Sequence, residues 1–152
     1  MKYIHYGHDK FDKNLFKEIK NREVFVKPSG GLWASNNNYE ISWKKWCINE
    51  GFKTDSLKLF FEFKLSQNSK ILIIDNADKL YKLPKIKMTN SPILGSYNVY
   101  LDFEELKKDY DAIEVFISKD HDRLYWDLYG WDCDSILIMN KDIIIPLEDK
   151  KC

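Results

Sequence analysis

Hydrophobic residues in this chain fall in short blocks separated by polar and turn-forming residues. Lys2 to Tyr6 (KYIHY) reads as a strand, and after a loop containing Phe11 and Phe16, Pro28-Ser29-Gly30-Gly31 is a turn signal leading into Leu32-Trp33-Ala34-Ser35. Asn36-Asn37-Asn38 reads as a loop by its turn chemistry. A helix is expected from Ser42, a suitable N-cap, to Glu50, with Gly51 as the left-handed residue that ends it. Trp43, Trp46 and Cys47 share one face of that helix, which makes the two tryptophans packing residues expected to be mainly buried. Leu57 to Leu65 and Lys70 to Asp75 read as strands, and a short helix from Asn76 to Leu83 stops before Pro84. Asp102-x-x-Glu105 is a capping-box pattern opening a helix to about Tyr110. Ala112 to Ile117 and Asp134 to Met139 are late strands, and Ile143 to Ile145 adds a third.

Many strands with a few short helices and no regular βαβ alternation predict an α+β protein, one domain over residues 1–152. Lys+Arg and Asp+Glu are both 24, so the formal charge is zero and no strong field toward nucleic acid or membrane is implied. Only Arg22 and Arg123 are arginines, so bidentate clamps on phosphate are scarce. Apolar runs such as Ile143-Ile144-Ile145 are too short to span a bilayer, and no apolar leader is visible. Cys47, Cys133 and Cys152 are odd in number and form no CxxC pair, which points to reduced thiols in a cytoplasmic setting. No GxGxxG or GxxxxGK[ST] loop occurs.

Four clusters carry candidate chemistry. His5-Tyr6-Gly7-His8 ends the first strand, where a histidine can bond a ligand and Gly7 lets backbone come close, although a core or turn histidine with no ligand is the simpler explanation of this cluster alone. A zinc site from His5, His8, His121 and Cys133 fits no closed four-ligand spacing, and no metal is expected. Gly30 and Gly31 before Trp33 suggest close approach to the backbone, with Trp33 as a stacking surface; a plain turn is the competing explanation. Asp132 and Asp134 stand at the head of an apolar strand, placed to project into a cleft or merely to introduce a buried strand. Glu62-Phe63-Lys64, with Asp55 and Asp75, is the pattern of a Mg²⁺-dependent nuclease, but alternation in a chain that is 32% charged produces it readily.

The first three clusters, in that order, resemble the ADP-ribosyltransferase-like superfamily, in particular small bacterial and phage members. The likeness runs through His5, the Leu32-Trp33-Ala34-Ser35 strand with the Trp43-x-x-Trp46-Cys47 block, the Tyr110-Asp111-Ala112-Ile113 strand, and Asp134-Ser135-Ile136-Leu137-Ile138-Met139-Asn140. Asp134 stands where the family usually has Glu, and Lys141 where it commonly has Pro.

The resemblance implies a split β-sandwich of two small, mostly antiparallel sheets with short flanking helices and NAD in the cleft between them. It implies NAD as substrate, cleavage of the nicotinamide–ribose bond, and transfer of ADP-ribose to a macromolecular target. That target would be a host protein in the first instance, with a nucleic-acid acceptor open, as for a phage anti-defence protein or bacterial toxin. His5 would hold the adenosine-side ribose, the backbone near Tyr6 or Gly7 the nicotinamide amide, and Trp33 the nicotinamide pocket. Ser35 would support the acidic residue or the ribose, and Asp134 would bind the nicotinamide-ribose 2′-OH and stabilise the oxocarbenium-like state, with Asp132 as the competing assignment. His5, Trp33 and Asp134 are therefore expected to converge on one cleft. A non-catalytic interaction protein on the same fold is the alternative, given nine Tyr, nine Phe and five Trp.

Overall fold

The computed structural model describes residues 1–87 and 98–147. Cys152 lies outside the described residues. The chain forms seven strands among the described residues: β1 (Tyr3–Tyr6), β2 (Leu32–Ala34), β3 (Phe60–Leu65), β4 (Ile71–Ile74), β5 (Ala112–Val115), β6 (Ser135–Ile138) and β7 (Ile144–Pro146). Four short helices accompany them: α1 (Trp43–Glu50), α2 (Ala77–Tyr81), α3 (Phe103–Leu106) and α4 (His121–Asp127). One sheet has three strands in the order β1-β3-β7, and the other has four in the order β2-β6-β5-β4. All pairs are antiparallel except β4 with β5. The architecture is α+β, with two small sheets and few helices. No helix among the described residues is long and apolar enough to cross a membrane.

Alternation along β5 and β6 explains the layering. Ile113, Val115 and Leu137 point to one face of the four-stranded sheet, where Leu80, Phe103, Leu106 and Leu124 of the helices cover them. Ala112, Ile136 and Ile138 point to the other face and meet Tyr3, Phe61, Phe63 and Ile144 of the three-stranded sheet. With both faces covered, β5 and β6 are buried at every position. At such continuous burial a strand reads as an unbroken apolar run, as β6 does from Ile136 to Ile138. Glu114 is the exception in β5, and it accepts hydrogen bonds from the Tyr3 and Tyr39 hydroxyls.

Several expected elements differ in extent. The strand expected from Leu57 begins at Phe60, because Thr54–Lys58 winds into a 3₁₀ turn first. The Asp102 carboxylate caps Glu105 N at 3.0 Å, but Asp102 N donates to the Pro84 carbonyl, so only half of the capping box forms. The helix it opens ends at Leu106 rather than near Tyr110. Helix α4 was not expected; its register is set by Leu124, which is fully buried.

Candidate functional site

The site begins where β1 and β2 part. Ile4 and Ser35 exchange two backbone hydrogen bonds, of 2.8 and 3.0 Å, and join the sheets at that point. The next such pair along an antiparallel ladder would be Tyr6 with Trp33. It does not form: β1 continues with β3, where Tyr6 stands opposite Phe60, and β2 continues with β6, where Trp33 stands opposite Leu137. Because backbone groups alternate sides along a strand, the N–H and C=O of both Tyr6 and Trp33 face the gap between β1 and β2. One of the four has a partner there, as the Trp33 carbonyl accepts from Nδ1 of His5 at 2.7 Å.

A cavity of about 360 Å³ opens at this divergence. His5, Tyr6 and Gly7 of the first cluster line it together with Trp33 and Ser35 of the second. Asp132, Cys133 and Ser135 bring in the third. Residues far apart in sequence thus converge, and the reason is the edge contact of β1 with β2 beside β6.

The His5 ring has a defined protonation pattern. A carbonyl can only accept, so Nδ1 carries the proton, and Nε2 lies 3.0 Å from Nδ1 of His8. Burial pulls the His5 pKa below its ordinary 6.5; the Trp33 carbonyl opposes that shift, and the nearby His8 adds to it. Neutral His5 therefore accepts at Nε2 from His8. The Trp33 ring is set edge-to-face on Trp131 at 4.6 Å, and Trp131 is almost completely buried.

Asp134 occupies a different place from the one expected. It is 1% exposed and is not part of the cavity lining. Its Oδ1 accepts from Ser118 N at 2.9 Å, and its Oδ2 accepts from Ser118 Oγ at 2.8 Å and Ile41 N at 3.2 Å. Its backbone N donates to the Ile41 carbonyl, and its carbonyl accepts from Ser35 Oγ at 2.8 Å. Ser35 Oγ also accepts from Trp43 N, at 3.2 Å, so Ser35 ties β2 to both α1 and the head of β6. Asp134 acts as a clamp among three segments, and the carboxylate that lines the cavity is Asp132.

Lys27 and Lys53 also line the cavity. Lys27 is half-buried, with its ammonium 5.0 Å from the centre of the Trp33 ring. Burial lowers its pKa while Asp132 opposes the shift; burial raises the Asp132 pKa while Lys27 opposes that. Burial also pushes the Cys133 thiol up to about 12, so this cysteine is a weak nucleophile despite lining the cavity.

Trp43 and Trp46 depart from the expectation of burial. Both are half-buried, because the only buried residue of α1 is Cys47. They stack on one another at 5.4 Å, Phe52 packs edge-on against both, and Trp43 lines the cavity. The close approach implied by Gly30 and Gly31 is made by the chain itself. A Cβ on Gly31 would sit 2.8 Å from the Ile138 carbonyl, and one on Gly30 would overlap the Glu18 backbone.

Among the described residues, no group of three or more His, Cys, Asp and Glu side chains is placed to hold a metal ion. Glu62, Asp55 and Asp75 are each engaged by a lysine, respectively Lys2, Lys58 and Lys79. His121 is stacked on Tyr125 of α4. Sequence reading singled out neither Lys53 nor Ser56, since a lysine and a serine in a polar turn carry no signal of their own. No protein-family model, curated protein or solved structure matches the chain.

Proposed function

We propose that the cavity binds NAD and that the protein transfers ADP-ribose to a macromolecular acceptor, as an ADP-ribosyltransferase-like domain with a split β-sandwich. The observation that supports this best is the parting of β1 and β2 beyond Ile4 and Ser35. It turns unpaired backbone donors and an acceptor at Tyr6 and Trp33 toward a cavity walled by the Trp33 ring. A planar carboxamide on a pyridine ring uses such a donor–acceptor set, with the indole as its stacking surface.

In this reading His5 first holds the cleft open by satisfying the Trp33 carbonyl. Its Nε2, bonded to His8, takes an adenosine-side ribose hydroxyl in exchange for that neighbour. Asp132 supplies the negative charge. As the C1′–N bond breaks, the bonding pair leaves with nicotinamide, and positive charge develops on the ribose, where a carboxylate stabilises the transition state more than the ground state. The acceptor nucleophile then bonds to C1′ and releases its proton to water. Ser35 and Asp134 position Asp132 through the head of β6. The acceptor is a macromolecule of a host cell, a protein side chain ahead of a nucleic-acid base, consistent with a cytoplasmic toxin or anti-defence protein.

NAD affinity in the micromolar range, about −8 kcal/mol, is expected. The test is incubation with labelled NAD and a host lysate, comparing the natural chain with Asp132→Asn. Nicotinamide release and label on a macromolecule, both lost in the variant, support the proposal. No binding heat and no shift in melting temperature at millimolar NAD overturn it. A non-catalytic binding module on the same fold is the second reading, favoured by Trp126 and Tyr129, which are 63% and 59% exposed.

A further inference from the structure

Lys53 is the one non-glycine residue with positive φ among the described residues, at φ 47 and ψ 34. It follows the left-handed Gly51 by two residues, and the turn it opens brings Lys53 and Ser56 to the cavity wall. The conformation is locked, because Ser56 N and Ser56 Oγ both donate to the Lys53 carbonyl, at 2.9 and 2.7 Å. Glycine would take this backbone without strain, yet a lysine occupies it at the cavity.

Neither Lys53 nor Lys27 makes an ion pair with a carboxylate of the described residues, whereas Lys58 on the same turn pairs with Asp55 at 2.8 Å. The two lysines are close enough for the charge of Lys53 to disfavour that of Lys27. Among the described residues, Asp132 is the only carboxylate in the lining. The cavity lining therefore carries two lysines against one carboxylate inside a protein of zero formal charge, with Glu50 near enough to Asp132 to disfavour its charge. Beside it, the half-buried Trp43 ring, fixed by Trp46 and Phe52, presents a flat apolar surface.

We infer that this wall is a diphosphate subsite in which Lys53 and Lys27 flank the phosphates and Trp43 carries the attached base, so that the cavity recognises nucleoside diphosphates. The inference rests on the dinucleotide reading above and assigns the ADP half of the ligand. An anion between two like charges relieves their repulsion, and lysines act there as point charges where arginine forks are lacking.

The test is titration of the full chain with ADP and with adenosine, followed by calorimetry, for the natural protein and for Lys53→Gly. The expected result is ADP binding at least tenfold tighter than adenosine. Lys53→Gly should weaken ADP at least fivefold, leave adenosine unchanged, and not lower the melting temperature, because glycine relaxes the left-handed backbone. Equal affinity for the two ligands, or ADP binding indifferent to Lys53→Gly, overturns the subsite. So does loss of both ligands with a lower melting temperature, which would make Lys53 structural. Nicotinamide release from NAD, measured on the same preparations, separates the two claims. ADP binding that depends on Lys53 without nicotinamide release upholds the subsite and overturns transfer; nicotinamide release with Lys53-independent ADP binding does the reverse.

Discussion

The His5 imidazole replaces the Tyr6 backbone N–H as the donor to the Trp33 carbonyl, at 2.7 Å. A side chain thus completes a strand pair at the point where the two strands separate. The separation leaves backbone groups turned into a cavity, and the imidazole keeps the separation from leaving a half-buried carbonyl without a partner.

Replacing His5 by Ala is expected to cost about 1–3 kcal/mol of stability, the usual penalty for stranding a buried acceptor. The effect depends on pH. His5 in the folded chain has a pKa below 6.5, so the unfolded chain binds the proton more readily as pH falls through that range. The contribution of His5 is complete above pH 6.5 and declines as pH drops toward the lowered folded value. The melting temperatures of the natural chain and His5→Ala should converge between pH 7.5 and pH 5, measured by thermal denaturation. A constant gap across that range argues against a neutral His5.

Gly31 and Gly7 both have positive φ, +70 and +107, but their surroundings differ. A Cβ at Gly31 meets the Ile138 carbonyl and the Ile19 and Leu137 methyls at 2.7 to 2.8 Å, whereas nothing lies within 4 Å at Gly7. Gly7→Ala should cost only the conformational term, roughly 1–3 kcal/mol. Gly31→Ala should cost distinctly more, because β2 must move away from β6. Chemical denaturation of the two variants side by side checks the order.

The sequence made most of this legible where local chemistry decides. The helix bounded by Ser42 and Gly51 forms because Ser42 Oγ accepts from Lys45 N and Gly51 adopts the left-handed conformation, both local events. β1, β2 and β6 were readable for the same reason, as β-formers beside turn residues. Asp132 and Asp134 could not be separated, since the difference between them is tertiary: Ser118 and Ile41 donate to one and leave the other facing the cavity. The place of Trp43 was missed because helical spacing reports a shared face, and here that face meets Phe52 and a cavity instead of the core.

Glu114 lies between the two sheets, accepting from the Tyr3 hydroxyl at 3.0 Å and from the Tyr39 hydroxyl. Burial raises both phenol pKa values well above 10, and the Glu114 carboxylate adds to the shift. The folded chain then holds these protons while the unfolded chain releases them, so stability is full below pH 10 and falls as pH rises beyond it. Tyr39→Phe should therefore be less stable than the natural chain at neutral pH, by about 1–3 kcal/mol, because the carboxylate loses a donor. The same variant should show a shallower loss of stability above pH 10. Denaturant titrations at pH 7, 9 and 10.5 measure both effects, and parallel pH profiles would refute the coupling.

Asp132 and Asp134 should respond to mutation in opposite ways. Asp134→Ala strips Ser118 N and Ile41 N of their acceptor inside the protein, at about 1–3 kcal/mol for each donor left without a partner. It should lower the melting temperature sharply, and any loss of activity should follow the loss of folded chain. Asp134→Glu should not restore stability, since an extra methylene has no room beside Ser35 and Ser118 in a site that is 1% exposed. Asp132→Asn, half-buried at the cavity with no hydrogen bond that holds the fold, should leave the melting temperature nearly unchanged. In the proposed reaction it should reduce nicotinamide release by roughly a hundred- to a thousandfold, the scale of a lost electrostatic contact in a transition state. Melting curves and NAD turnover measured on the same preparations separate the two roles. If Asp134→Glu turns over NAD normally while Asp132→Asn is also active, the carboxylate of the reaction is Asp134, and the clamp has to open when the ligand binds.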